Sequence, residues 1–300
     1  MKFIAFAQKG RNHIGLYIGG ITALILLFIV GGLPLLIDAK NQFPDLQINI
    51  ENPAFIEAYG TTRLLVGELL SFLFACIGFL LYLRYVHKRP WLTIFTASGQ
   101  FRWKRFFGFG FFLFGVVCLL TFLEVWANGQ LQLLKWNYKP AVFWPLFLSS
   151  LLLIPFQATI EELVFRVYAL QGFYLRTKSV WMSIGLSSIM FAMMHISNPE
   201  LSVLGPGLLF YYFMAGVFLS LLTVQDDGLE LAMAFHIFNN LFGAFVVSSD
   251  WQAFHTEALF LDLRGPGSLI FQLCSGLLLF AGFYFLLSKK FSWKPLTSLR

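Results

Sequence analysis

Charge is scarce in this chain. Only 12% of its 300 residues are Asp, Glu, Lys or Arg, against 58% that are hydrophobic, a balance that fits neither an ordinary soluble domain nor a disordered segment. Cysteine is scarcer still: three, at positions 76, 118 and 274, sit in apolar runs without C-x-x-C spacing. That excludes a disulfide framework and a cysteine metal site and leaves them as small core residues. The apolar runs hold no aspartate, and there is no H-E-x-x-H and no G-x-S-x-G; a paired-aspartate, zincin or serine-elbow chemistry therefore has no residues to work with. No internal repeat and no nucleotide-binding motif is present, and an inverted-repeat transporter would place matching breaks in both halves.

What is present is length of apolar sequence. Eight runs, near residues 14–36, 64–83, 106–126, 141–174, 179–196, 206–224, 229–248 and 268–288, are read as helical spans, since about 20 apolar residues cross a bilayer and an open sheet leaves its backbone unsatisfied there. The fold class predicted is all-α, a polytopic transmembrane helical bundle of about eight spans. The eight tryptophans fall at or just beyond the ends of these runs, where an aromatic belt belongs. Of the 21 Lys and Arg, five (Lys40, Arg63, Lys135, Lys139, Arg264) lie in alternate connections and fifteen in the termini and the others, so both termini are expected to be cytoplasmic. The acidic residues Asp38, Asp45, Glu51 and Glu57 crowd the first outward loop. Net charge +6 then records topology and contact with anionic lipid, with no nucleic-acid partner implied. The N-terminus has the charge of a signal sequence, but the run from Ile14 to Leu36 is too long for a cleaved segment and is taken as the first helix.

The exception to apolar monotony is Ala158 to Tyr168, A-T-I-E-E-L-V-F-R-V-Y. Each ionised group near a bilayer centre costs at least about 2.5–3.5 kcal/mol, so Glu161, Glu162 and Arg166 are expected to face protein or a wet cavity. Glu162 and Arg166, four apart, form a natural helical ion pair. Glu161 lies about 100° round the helix and needs a partner from elsewhere. Pro155 is expected to kink or restart that helix. The fifth run carries Phe191 and His195, the seventh His236, Asn239 and Asn240. Glu161 and His195 are each seventeen residues from Lys178, about 25 Å along a helix, and so can meet in a hairpin. His236 is eight residues from Gly228, about 12 Å, and joins them only if that hairpin projects beyond the membrane or the helices tilt. Glu68 reads as an interfacial side chain.

A carboxylate and a histidine sharing a water can deprotonate it for attack on a carbonyl, while a second histidine and an amide donate to the oxyanion. The same atoms also suit a metal, with Glu161, His195 and His236 as ligands to Zn and Glu162 as a candidate base. Both readings stand at this point. A non-catalytic scaffold or chaperone binding a peptide or helix, and a proton-coupled transporter using Glu161 and the histidines as a relay, are the rivals from other classes.

The E-E-x-x-x-R of Glu161–Arg166, the F-x-x-x-H of Phe191–His195 and the H-x-x-x-N of His236–Asn240 together resemble the CAAX-protease and bacteriocin-processing (CPBP, or Abi) family of intramembrane endopeptidases. The resemblance covers residues 141 to 248; Val167 stands where many relatives have glycine. It implies an eight-helix core, cleavage of a peptide or lipidated CAAX-type protein in the lipid bilayer, Glu161 and His195 activating water, and His236 and Asn240 steadying the oxyanion. It leaves a glutamate-type and a metal-dependent protease both open. The organisation expected is three spans in 1–140, a catalytic core in 141–248, and an outward loop, last span and basic tail in 249–300. The expected location is the plasma membrane of a bacterium.

Overall fold

The first long helix turns its bulky side outward. In α1 (Ile14–Gln42), Ile18, Ile25 and Ile29 are more than half exposed, whereas Gly20, Gly31, Leu35 and Ala39 are buried. Such a helix is fitted to lipid outside and to close helix contact inside. The structure is a computed structural model and describes residues 2–44 and 53–299; Asp45 and Glu51 of the acidic loop lie outside the described residues. After α1 come α2 (Pro53–Tyr59), α3 (Thr61–Leu81), α4 (Trp91–Phe95), α5 (Trp103–Ala127), α6 (Pro140–Glu162), α7 (Leu170–Thr177), α8 (Val180–Met193), α9 (Pro199–Leu204), α10 (Leu209–Gln225), α11 (Glu230–Leu241) and α12 (Leu269–Lys290). Wide π-turns at Tyr82–Val86, Leu163–Ala169 and Phe242–Val246 extend α3, α6 and α11.

This is a polytopic helical bundle. Among the described residues, six helices are long and apolar enough to cross a membrane: Ile14–Gln42, Thr61–Val86, Trp103–Ala127, Pro140–Thr177, Pro206–Gln225 and Leu269–Lys290. The other two apolar runs, Val180–Met193 and Glu230–Val246, are helical but shorter. The reason is visible in α11, where every residue from Glu230 to Phe238 is buried: a helix sheathed in protein need not match the bilayer thickness.

The expected restart at Pro155 is not found. α6 runs unbroken through Pro145 and Pro155, as packed membrane helices can when neighbours satisfy the freed carbonyl. The irregularity comes later, in the π-turn that carries Arg166. From Pro140 to Thr177 the helix has 38 residues, about 57 Å at the helical rise, well beyond a hydrocarbon core of ~30 Å. The hairpin end at Thr177 therefore outreaches the start of α11.

Short strands sit at the end opposite the termini. β1 (Leu134–Trp136) pairs antiparallel with β3 (Phe260–Asp262), which pairs in parallel with β2 (Val247–Ser248). This small sheet ties the α5–α6 connection to the end of α11. Beside it, Asn137 Nδ2 donates to Glu257 Oε2 at 3.0 Å and, with Lys139, holds that carboxyl below its ordinary range.

At the other end the N-terminal residues are not a free basic tail. Phe3–Lys9 forms a 3-10 turn with Phe3 and Ile4 buried; Phe3 N donates to Asp227 Oδ1 at 2.9 Å and Gln171 Nε2 to Phe3 O at 3.0 Å. Of the cysteines, Cys76 is buried as expected, but Cys274 is exposed on α12.

α1 and α3 meet through glycine. A Cβ on Gly31 would lie 2.7 Å from Ser71 Cα, and one on Gly67 2.9 Å from Leu35 Cβ. Gly31→Leu is therefore expected to push the helices apart and destabilise the protein by about 1–3 kcal/mol, read as a lower unfolding temperature in detergent; an unchanged temperature would mean the contact is looser than described.

Candidate active site

Glu161 and Glu162 leave α6 in different directions. Glu162 is turned into protein and is fully buried, whereas Glu161 lines a cavity of about 1810 Å³. His195, just past the end of α8, and His236 and Asn240 on α11 line the same cavity. Four polar side chains from three apolar segments thus face one hollow. A separate cleft of about 540 Å³, lined by Lys104, Arg105, Phe109, Phe283 and Lys290 among others, contains no carboxylate or imidazole and offers no hydrolytic chemistry.

The hydrogen bonds fix which atoms are left for substrate. His236 Nδ1 meets Glu162 Oε1 at 2.8 Å; a carboxylate oxygen accepts, so Nδ1 carries the proton and Nε2 faces the cavity with its lone pair in the neutral ring. That Nε2 stands 3.7 Å from Glu161 Oε2, too far for a direct hydrogen bond and a span that a shared water can serve. Glu161 Oε2 itself is buried with no hydrogen-bond partner, while Oε1 accepts from Gln157 Nε2. His195 Nδ1 donates to Phe191 O at 2.7 Å and its ring stacks on Tyr212, centroids 4.1 Å apart. Its Nε2 is therefore also the free nitrogen. Asn240 Nδ2 donates to Gln157 Oε1 at 2.9 Å, and Asn240 Oδ1 accepts from Asn239 Nδ2 at 3.4 Å. One Asn240 amide hydrogen remains for a ligand.

Arg166 and Glu162 are paired as the four-residue spacing predicts, with Nη1 3.2 Å from Oε1. The approach is off the line a hydrogen bond needs, so the guanidinium nitrogens have no hydrogen-bond partner. The attraction is thus that of charge alone, supplemented by the Phe191 ring, whose centroid is 4.6 Å from the guanidinium. Phe191 is a wedge: it also packs on Phe165 and on His195, with centroids 5.1 and 4.6 Å apart.

The geometry bears on three sequence expectations. Equal depth along the hairpin made His195 the partner of Glu161, but among the described residues the imidazole within ion-pair distance of Glu161 is His236. The long α6–α7 helix resolves the depth mismatch, since its outreaching end lets Glu161 sit level with a residue near the start of α11. Glu68, read from the sequence as interfacial, lines the cavity. The three-ligand metal set is not brought together among the described residues. Both histidines present a free Nε2, which suits zinc chemically, but among the described residues no three His, Cys, Asp or Glu side chains converge to hold a metal ion. Glu161, His195 and His236 as placed do not fit one, and no step is drawn through it.

Two residues escaped the sequence reading. Gln157 bridges Glu161 to Asn240 and sits four residues before Glu161 on the same helix face, a signal that was available. Tyr212 had none, because its stacking on His195 comes from packing between α8 and α10.

Residues 142–242 match the family described as type II CAAX prenyl endopeptidase Rce1-like. The chain is also 27% identical over 243 residues to the uncharacterized protein YyaK of Bacillus subtilis (strain 168), covering 78% of each chain. No solved structure matches.

Proposed function

On the premise that residues 142–242 are Rce1-like, in a chain with six helices of membrane-crossing length among its described residues, and hence in an integral membrane protein, we propose that it is an intramembrane endopeptidase in which Glu161 and His236 activate water while His195 and Asn240 serve the leaving group and the oxyanion. The observation that carries this is the unpartnered Glu161 Oε2 facing His236 Nε2 in a cavity shared with His195 and Asn240.

The chemistry follows from the free atoms. Water between Glu161 and His236 gives a proton to the Glu161 carboxylate as its oxygen attacks the scissile carbonyl carbon. The resulting oxyanion accepts the remaining Asn240 amide hydrogen, whose direction is fixed by Gln157 and Asn239. The carbon–nitrogen bond then breaks and the leaving nitrogen takes the proton that Glu161 received, passed on through His195 Nε2, whose ring is held by Phe191 O and Tyr212, so that the Glu161 carboxylate is restored. Glu162 and Arg166 act at one remove by orienting His236. The substrate in this reading is a peptide or lipidated protein segment, in the plasma membrane of a bacterium.

The test is cleavage of a quenched fluorescent peptide by the purified, reconstituted protein. His195→Ala is expected to lose activity; an unchanged rate would leave a binding scaffold or a transporter as the better reading. Asn240→Ala is expected to lower kcat by about 10²–10³ with little change in KM, the mark of a group that acts on the transition state. Metal analysis of active protein is expected to find no stoichiometric zinc, and activity lost together with zinc on chelation would instead require a metal mechanism.

A further inference from the structure

The cavity has its polar rim at one end of the bundle, while exposed apolar residues such as Ile21, Ile25 and Ile189 line its flank. Its walls run from Glu161 and His236 to Asn128 at the end of α5, Asn198 before α9, and Gln252 and Arg264 in the loop flanking β3. No lining residue comes from 2–13, 84–105, 170–180, 225–230 or 289–299, the segments gathered at the end where both termini lie. That end is shut by polar contacts. Arg102 bonds Glu230 through Nε at 2.9 Å and Nη2 at 2.6 Å, and pairs with Asp226 at 2.8 Å. Arg105 also bonds Asp226, and Thr96 bridges to Gly228. The site lies nearer the closed end along α11, yet is open toward the other.

The charge distribution says which compartment each end meets. Among the described residues fourteen Lys and Arg belong to the closed end and five to the rim end, and segments rich in Lys and Arg are retained in the cytoplasm. We infer that substrate reaches Glu161 from the extracytoplasmic face. This deepens the endopeptidase reading and rests on it for the word substrate, but the direction of access stands on the cavity and the charge count alone.

The inference narrows the substrate class. A protein held only on the cytoplasmic leaflet cannot bring its scissile bond to the rim. A peptide exported across the membrane, or the extracytoplasmic segment beside a membrane anchor, can. The cavity also holds Glu68, Glu124, Glu161, Glu200 and Asp262 against a single Arg264, and Arg264 is already paired with Glu124 and Asp262 at 2.9 and 2.7 Å. Its field favours a neutral or basic segment over an acidic one.

The experiment uses the full chain with its three cysteines replaced by alanine and one cysteine returned, at Ala253→Cys on the rim or Gln100→Cys at the closed end; both positions are exposed. With a membrane-impermeant maleimide on intact cells, Ala253→Cys is expected to react and Gln100→Cys to react only after permeabilisation. Equal labelling of both in intact cells, or the reverse pattern, overturns the inference. Peptide cleavage by the same variants in permeabilised membranes is read separately. Its absence would count against the protease and leave the direction of access as labelled.

Discussion

Glu161→Gln is expected to stop hydrolysis while leaving the protein folded, with a loss of about 10²–10⁴ in rate, the range set by removing a general base. The substitution keeps size and shape, and the amide oxygen can still accept from Gln157 Nε2, which now bonds Glu161 Oε1. What disappears is the basic oxygen that has no hydrogen-bond partner and lies opposite His236 Nε2. Because Glu161 faces the cavity and Glu162 faces protein, the neighbouring Glu162 cannot take over. The measurement is kcat with the unfolding temperature recorded alongside. A variant that unfolds at the wild-type temperature and retains its rate would remove Glu161 from the chemistry.

Arg166→Met is expected to act in the opposite sense, on stability before rate. Arg166 and Glu162 are both fully buried, and the lost cation leaves a carboxylate in protein with His236 as its remaining polar contact. Breaking one side of a buried pair costs about 3–5 kcal/mol, because the other charge stays desolvated. The double variant Glu162→Gln with Arg166→Met removes both charges and is expected to recover part of that loss, since the two changes share one interaction. Thermal unfolding in a single detergent reads the cycle. If Arg166→Met alone costs no more than an exposed substitution, the pair is ornamental to the fold and the orientation of His236 has another source.

Much of the architecture was legible because lipid enforces simple rules. Each of the eight apolar runs became a helix, and the buried glycine face of α1 against its exposed isoleucines is what an apolar solvent outside demands. The chemistry-bearing residues were legible for the same reason: Glu161, His195, His236 and Asn240 stand out in sequences that otherwise avoid charge. What did not read through was who touches whom. The spacing of Glu162 and Arg166 announced their pair, but the bond from Glu162 to His236 joins residues 74 apart and depends on how far α6 rides past α11. Pro155 followed a rule for helices in water, where the lost hydrogen bond finds no substitute; here the helix continues. The strands at 134–136, 247–248 and 260–262 are too short to carry a period, and the packing of Phe3 against Gln171 joins segments far apart in the chain.

A single-turnover cleavage in heavy-oxygen water, followed by mass spectrometry of both product and enzyme, asks most directly whether Glu161 and its neighbours hydrolyse a peptide bond with water itself. The expected result is one heavy oxygen in the new carboxyl group of the amino-terminal fragment, with the enzyme mass unchanged throughout. An enzyme carrying the acyl fragment, or a reporter peptide left intact by the wild-type protein on either face of the membrane, would contradict it.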